Sequence, residues 1–387
     1  MLVGRINNLI NQQINNIIHN KQLQKIEASW RSLARLIEEI KENHTCSVTI
    51  KLIDVNCYEI SLDIKNNTNF TNSQLFRKIH TEEFDSPGGE PFSIIIADYD
   101  FSVKENDVNI LQHISAIAAT SFCPIIAGAD AELCDLENWS HAKPFHNYMQ
   151  PHSKQNYLKW MRLCTSNNSQ FIGLMSNKIK ARELYHKSPQ SCRNYFFTEK
   201  GDDYSDYLWA NSAYRYISAV IAAFDETGWF LKTRATLSMK NNKYNLTTKR
   251  CNKLLTHQNC SELIITDEIE AKLNNAGLMV LRENIFTKDE NFYFQPSIYR
   301  LEDKHASNFD DSNLRTQIPY LLCACRIAQT LKFMMRDKVG KFETADSCKT
   351  WLSSWLLNFC SSEQSPQNDT LFKYPLNKAE VEITEVK

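Results

Sequence analysis

Two aspartates, Asp98 and Asp100, alternate at the end of the apolar run in "FSIIIADYDF". A carboxylate pair at that spacing could hold a divalent cation, but a metal needs further ligands, and no third acid or histidine stands nearby. A strand-end cap or a contact to a partner is the other reading. Cys134, His141, His146 and His152 crowd into "CDLENWSHAKPFHNYMQPH", a metal cluster by composition. Its histidines are spaced five and six residues apart, unlike i, i+4 ligation on a helix, and Pro144 and Pro151 make the stretch an irregular loop. Asp337 and Lys338 could form an acid/base pair in "MMRDKVGKF". Neighbours on a helix point about 100° apart, which favours a cap and salt-bridge role. Pro87, Gly88 and Gly89 precede a strand, whereas a phosphate loop follows a strand and opens a helix; the trio reads as a structural turn needing positive φ. No G-x-S-x-G, HExxH or GxxxxGK[ST] occurs, so no catalytic residue, cofactor site or metal site is assigned.

The twelve cysteines are scattered. Only Cys323 and Cys325 lie close, as C-x-C inside an apolar helix pattern, and without a paired CxxC neither zinc nor a disulfide framework is expected. They read as small buried hydrophobes of a reducing compartment. With 44 basic against 45 acidic residues the net charge is −1, so no overall field draws in nucleic acid. No continuous apolar stretch reads as a secretory signal or a membrane span.

The elements that must position these residues form an α/β (α+β mixed) pattern. From Leu23 to Ile40 the residues Leu23, Ile26, Trp30, Leu33, Ile37 and Ile40 step by three and four along one helical stripe. So narrow a seam suits docking onto another chain, or a helix covering its own domain. "CSVTIKLIDV" alternates as a strand with Val48, Ile50 and Leu52 on one face. "FSIIIADYDF", "CPIIAGAD" and "SQFIGLMS" read as fully buried strands. "ENDVNILQHISAIAATS" reads as a helix capped by Asp107. "YLWANSAYRYISAVIAAFDETGW" reads as a helix with Ala210, Tyr214, Ile217, Ile221 and Phe224 on one side and Gly228 past its end. "WFLKTRATLS" adds a strand, and "SELIITDEIEAKLNNAGLMVL" a strand, a helix and a strand. A long helix with Pro319 at its start or at a kink follows, then a second helix with Thr344 or Asp346 near its cap. "YPLNKAEVEITEVK" closes as an alternating strand, with Val381, Ile383 and Val386 set between glutamates.

As a linear series these residues resemble one family. "ASWRSLARLI", "LFRKIHTEEFDSPGGEPFSIIIADYDF", "LQHISAIAATSFCPIIAGA", "YLKWMRL", "YLWANSAYRYISAVIAAFDETGW", "ELIITDEIEAKLNNAGLMVL", "IPYLLCACRIAQTLKFMMRDKVGKF" and "YPLNKAEVEITEV" occur in order from about residue 20 onward. Together they look like the large (TssC/VipB-type) subunit of the type VI secretion contractile sheath. The strings "EEFDSPGGEPF", "YLWANSAY" and "RDKVGKF" are the most specific. The stretch "NNKYNLTTKRCNKLLTHQNC" has no clear match.

The resemblance implies a structural, non-enzymatic subunit that pairs with a small (TssB/VipA-type) sheath subunit. Neighbouring heterodimers then stack around an inner tube, on an envelope-anchored baseplate in the bacterial cytoplasm. In many such systems a Clp-family AAA+ unfoldase recycles the contracted sheath. On this reading residues 1–45 are a helical arm for partner docking and 46–305 the α/β core. Residues 306–387 are a helical region whose last strand is exchanged with a neighbour. Family members continue beyond that strand, so a shortened paralogue that binds the small subunit without supporting a lattice is the alternative. A metal- or thiol-dependent enzyme using the His141–His152 loop is a more distant one.

Overall fold

The computed structural model describes residues 2–43, 45–67, 69–142, 155–185, 197–201, 206–234, 261–263, 265–283, 290–300, 314–338, 345–361 and 372–384. Two helices open the chain, α1 (Leu2–Ile18) and α2 (Lys21–Asn43), followed by α3 (Cys57–Asn66). A short α4 (Gln74–Phe76) runs directly into a π-helix, Arg77–Asp85. Next come β1 (Ile95–Phe101), α5 (Glu105–Ser121), β2 (Ile125–Ala129), α6 (Gln155–Thr165), β3 (Ile172–Met175), β4 (Lys178–Lys180), β5 (Trp209–Asn211) and α7 (Ala213–Thr227). The remaining elements are α8 (Asp267–Asn275), β6 (Leu278–Met279), β7 (Arg282–Glu283), β8 (Glu290–Asn291), α9 (Ile318–Lys338) and α10 (Ala345–Leu357).

A parallel sheet in the order β1-β2-β3-β6 forms the centre, with Ile95, Ile96 and Ala97 opposite Ile125, Ile126 and Ala127, and Ile125 opposite Ile172. Every residue of β2 and β3 is buried, as their unbroken apolar runs require in a sheet covered on both faces. The side chains divide by alternation. Ile125, Ala127, Ile172, Leu174 and Leu278 join one core with Leu111 and Ile114 of α5 and Leu273 of α8. Ile126, Met175 and Met279 join a second core with Tyr216 and Val220 of α7 and Ile318 and Leu322 of α9. Fully burying one such aliphatic side chain contributes about 1.5–3 kcal/mol. At Gly173 a Cβ would stand 2.6 Å from the Met279 side chain and 2.8 Å from Ile126, so the second core packs directly on the backbone.

Local chemistry sets the ends of the helices. Helix α5 stops because Phe122 turns left-handed (φ 50°), letting the Cys123 N–H bond the Ala118 carbonyl at 3.0 Å and drop the chain into β2. Asp107 is not its cap. Lys104 occupies the cap position, and Asp107, three residues in, accepts from the Ser102 N–H and hydroxyl. Helix α7 ends at Gly228 (φ 75°) and buries Ala213, Tyr216, Ile217, Val220 and Ala223; Tyr214, Ile221 and Phe224 are only half-buried, and Ala210 belongs to β5. Pro319 starts α9, where its missing N–H costs nothing.

Several expected strands differ. β1 is an edge strand, half-buried along most of its length, rather than fully buried. Residues 46–55 form no ladder, and residues 377–384 run without one too. After Trp229 the chain makes a 3-10 turn, Leu231–Arg234, instead of a strand. Ser261 makes a single bridge to Ile179 where a full strand was expected. In residues 46–55 and 377–384 the apolar alternation is present, but no strand among the described residues pairs with it.

Candidate partner-docking surface

Helix α2 has two faces, and the inward one mixes apolar, hydroxyl and carboxylate side chains. Ala28, Ser32, Leu36 and Glu39, spaced by three and four, are buried against β5 and α7. The apolar stripe points the other way: Leu23 is exposed, Ile26 is 57% exposed and Trp30 62%. Leu33, Ile37 and Ile40 are half-buried, and only Ile40 packs on the second core.

Two buried arginines hold the inward face. Arg215 of α7 donates to Glu39 of α2 at 2.8 Å and pairs with Glu290 of β8. Arg182 donates to Glu27 of α2 at 2.8 Å and to Glu199 at 2.6 Å. His19, in the α1–α2 bend, lies 3.1 Å from the same Glu199. Burial alone would raise the Glu39 carboxyl, but Arg215 and Arg35 outweigh it and hold Glu39 below the usual carboxylate range. Glu199 behaves alike: against its burial, Arg182 and the Tyr185 N–H hold it low. Glu27–Arg31 and Arg35–Glu39 also pair at i, i+4 along α2; the second partners of Glu27 and Glu39 lie more than 150 residues away and leave no local signal in the sequence.

Beside α2 lies the ribbon 47–55. Its ends are fixed. The N–H groups of Thr45 and Cys46 donate to Asp225, and Asn56 and Glu59 form a reciprocal capping box that opens α3. Between these anchors Lys51 reaches both oxygens of Glu83 at 2.7 Å, and the Val55 carbonyl accepts from the Tyr99 hydroxyl of β1. Ile50, Leu52 and Ile53 are all exposed, Leu52 at 65%.

The Pro87-Gly88-Gly89 turn supports this corner. Gly88 takes φ 83°, and a Cβ on Gly89 would stand 2.5 Å from the Glu83 carbonyl oxygen. The turn thus folds back onto the end of the π-helix and fixes the carboxylate that holds Lys51. No phosphate-binding geometry is involved.

The aspartates first considered for metal binding, Asp98 and Asp100, are engaged in scaffolding. Asp98 accepts from Ser29 of α2 at 2.5 Å and Tyr214 of α7 at 3.2 Å, while Asp100 pairs with Lys178 at 2.6 Å. Burial pushes the thiols of Cys134, Cys164 and Cys325 up to about 12, which leaves them un-ionised and unreactive at neutral pH. His141 ends a 3-10 turn; His146 and His152 lie outside the described residues. Among the described residues no group of three His, Cys, Asp or Glu side chains could hold a metal, and no helix is long and apolar enough to cross a membrane. At the far end Val381 is half-buried and Ile383 exposed on a ribbon without a ladder; Val386 is outside the described residues.

A covered α/β core that leaves apolar side chains outward has the make-up of an assembling scaffold, and comparison with known families points to a structural sheath protein. Residues 1–299 match the EvpB/VC_A0108 tail sheath N-terminal domain, and residues 307–387 match the tail sheath gpW/gp25-like domain. The whole chain aligns at 27% identity over 408 positions with the type VI secretion system sheath protein TssC1 of Pseudomonas aeruginosa, covering 79% of that protein. The chain belongs to the VipB family of type VI secretion sheath proteins.

Proposed function

We propose that this chain is the large subunit of a contractile sheath and that it pairs with the small sheath subunit through the outward stripe of α2. The observation that carries this reading is the exposed half of the α2 stripe. The opposite face is held in the core by Ala28 and Leu36 and by the ion pairs to Arg182 and Arg215, while Trp30, Ile26 and Leu23 are left exposed. Burying an aromatic anchor such as Trp30 is the usual centre of a tight interface. Residues 1–45 act as the docking arm, 46–305 as the body and 306–387 as the segment linking to neighbours. In that last segment Val381, Ile383 and Val386 form one face of a strand added to a neighbour's sheet, where backbone bonds give strength and alternation gives register. Such links persist while subunits rotate, which suits shortening of a lattice around an inner tube mounted on a baseplate. Recycling by a Clp-family unfoldase and a cytoplasmic location belong to the same proposal.

Co-expression with a small sheath subunit, followed by gel filtration and electron microscopy, tests it. Stable heterodimers that stack into tubes are expected. A chain that stays monomeric beside its partner at every concentration overturns the reading.

A further inference from the structure

We infer that the cleft between α2 and the body binds a small phosphoryl anion, inorganic phosphate or a phosphate monoester, which fastens α2 in place; the inference does not depend on the pairing proposed above. The cleft is walled by Arg31, Ser32 and Arg35 of α2 on one side, and by Lys180 of β4 with Tyr214 and Arg215 of α7 on the other. Its charges do not balance. Glu27 is held between Arg31 at 2.7 Å and Arg182 at 2.8 Å, and Glu39 between Arg35 at 3.2 Å and Arg215 at 2.8 Å. Glu199 and Glu290 are the further partners of Arg182 and Arg215. These four carboxylates answer the four arginines, and Lys180 is left over.

Lys180 is only 8% exposed, and among the described residues its ammonium meets no carboxylate. Its Nζ lies instead 4.4 Å from the centre of the Tyr207 ring. An aromatic face offsets only part of the hydration that a buried ammonium gives up, so the charge calls for an anion. Arg31 and Arg35 bring further donors. Among the described residues Arg35 engages only its Nε, with Glu39, and Arg31 its Nε and one amino group, with Glu27 and Tyr185. Each guanidinium therefore keeps N–H groups in hand.

The arrangement of these cations selects the chemical class. Donors that arrive from two walls suit a group with oxygens on every side and more than one negative charge. A tetrahedral phosphoryl group has both, whereas a carboxylate offers two oxygens in one plane and a single charge. Arg31 is exposed, so the cleft meets solvent on that side. Bound there, the anion bridges Arg31 and Arg35 of α2 to Lys180 of β4 and adds a clamp to the one that Arg182 and Arg215 already make.

The experiment uses the full chain without a partner. Isothermal titration with inorganic phosphate in chloride buffer should show a single saturable site, and phosphate should raise the melting temperature by mass action. Lys180→Met removes the charge while keeping the apolar stem on Tyr207; it should still melt cooperatively in chloride and bind phosphate at least about tenfold more weakly. Arg31→Gln, at the rim of the cleft, should also weaken phosphate binding, and it carries the test if Lys180→Met does not fold. Acetate at matched ionic strength should bind far more weakly than phosphate. A titration without a saturable site overturns the inference, and so does phosphate affinity that both substitutions leave unchanged. Acetate binding as tightly as phosphate overturns it too, because the cleft would then be built for a carboxylate.

Discussion

At the scale of single residues, buried charge adds to apolar packing in holding α2 to the body. Glu39 and Glu199 are both held below their ordinary value of 4.5, so their folded pKa lies under the unfolded one. For an acid shifted this way the stabilisation is complete above the unfolded value and disappears as pH falls through the folded one. Acid should therefore loosen α2 from the body below about pH 4.5. Urea unfolding from pH 7 down to pH 3 reads this directly. Glu39→Gln should be less stable at pH 7, because Arg215 is left with Glu290 alone, and its stability should fall less steeply with acid. The two slopes should differ by up to about 1.4 kcal/mol per pH unit. Parallel slopes for the two proteins would show that Glu39 binds protons alike in the folded and unfolded chain, with no net lowering by its arginine neighbours.

At the scale of elements, α2 makes the sharpest prediction. Trp30→Ala sits on the outward face and should leave the chain's own stability within about 0.5 kcal/mol. It should cost about 2 kcal/mol or more in binding the small subunit. Ala28→Leu, two residues earlier and so on the opposite, inward face, should do the reverse and cost about 1–3 kcal/mol of stability by overpacking. Calorimetry of binding and thermal melts of both variants decide it; a Trp30→Ala chain that melts early and binds normally would place the stripe in the body instead. The stripe itself was legible, since spacing by three and four is what a helix writes. Which side faces inward was not, because that depends on Arg182 and Arg215, remote in sequence. β2 and β3 were legible for a related reason: an apolar run buried on both faces needs no knowledge of its neighbours. The ribbon 47–55 and the terminal ribbon carry strand patterns without ladders, because alternation records a face to be covered and not who covers it. The π-helix Arg77–Asp85 left no periodic mark, and only the glycines folded against its end pointed to that corner.

At the scale of the whole molecule, arm, body and C-terminal helices share one interior. The second core takes Ala28 and Leu36 from α2, Met175 and Met279 from the sheet, and Ile318 and Leu322 from α9. Gln329 of α9 ties in the far side, its amide reaching the carbonyls of Phe92 and Phe122 at 3.0 Å each. A helix α2 built into the interior this way cannot swing free without opening the core. Removing residues 1–45 would uncover that core and take one carboxylate from each buried arginine, whose side chains are only 5–6% exposed. Breaking a buried pair costs about 3–5 kcal/mol where the remaining charge stands alone, and less here because Arg182 keeps Glu199 and Arg215 keeps Glu290. Added to the loss of Ala28 and Leu36 from the core, this is a large share of the stability of an ordinary domain, about 5–15 kcal/mol. The shortened chain 46–387 should therefore be insoluble or lack a cooperative melt, whereas the full chain should lose α2 and the sheet in one transition. Circular dichroism melts of both, with amide exchange to assign the transition, provide the measurement. If residues 46–387 melt cooperatively at the full chain's midpoint, the arm is an appendage, and its inward face does not belong to the core.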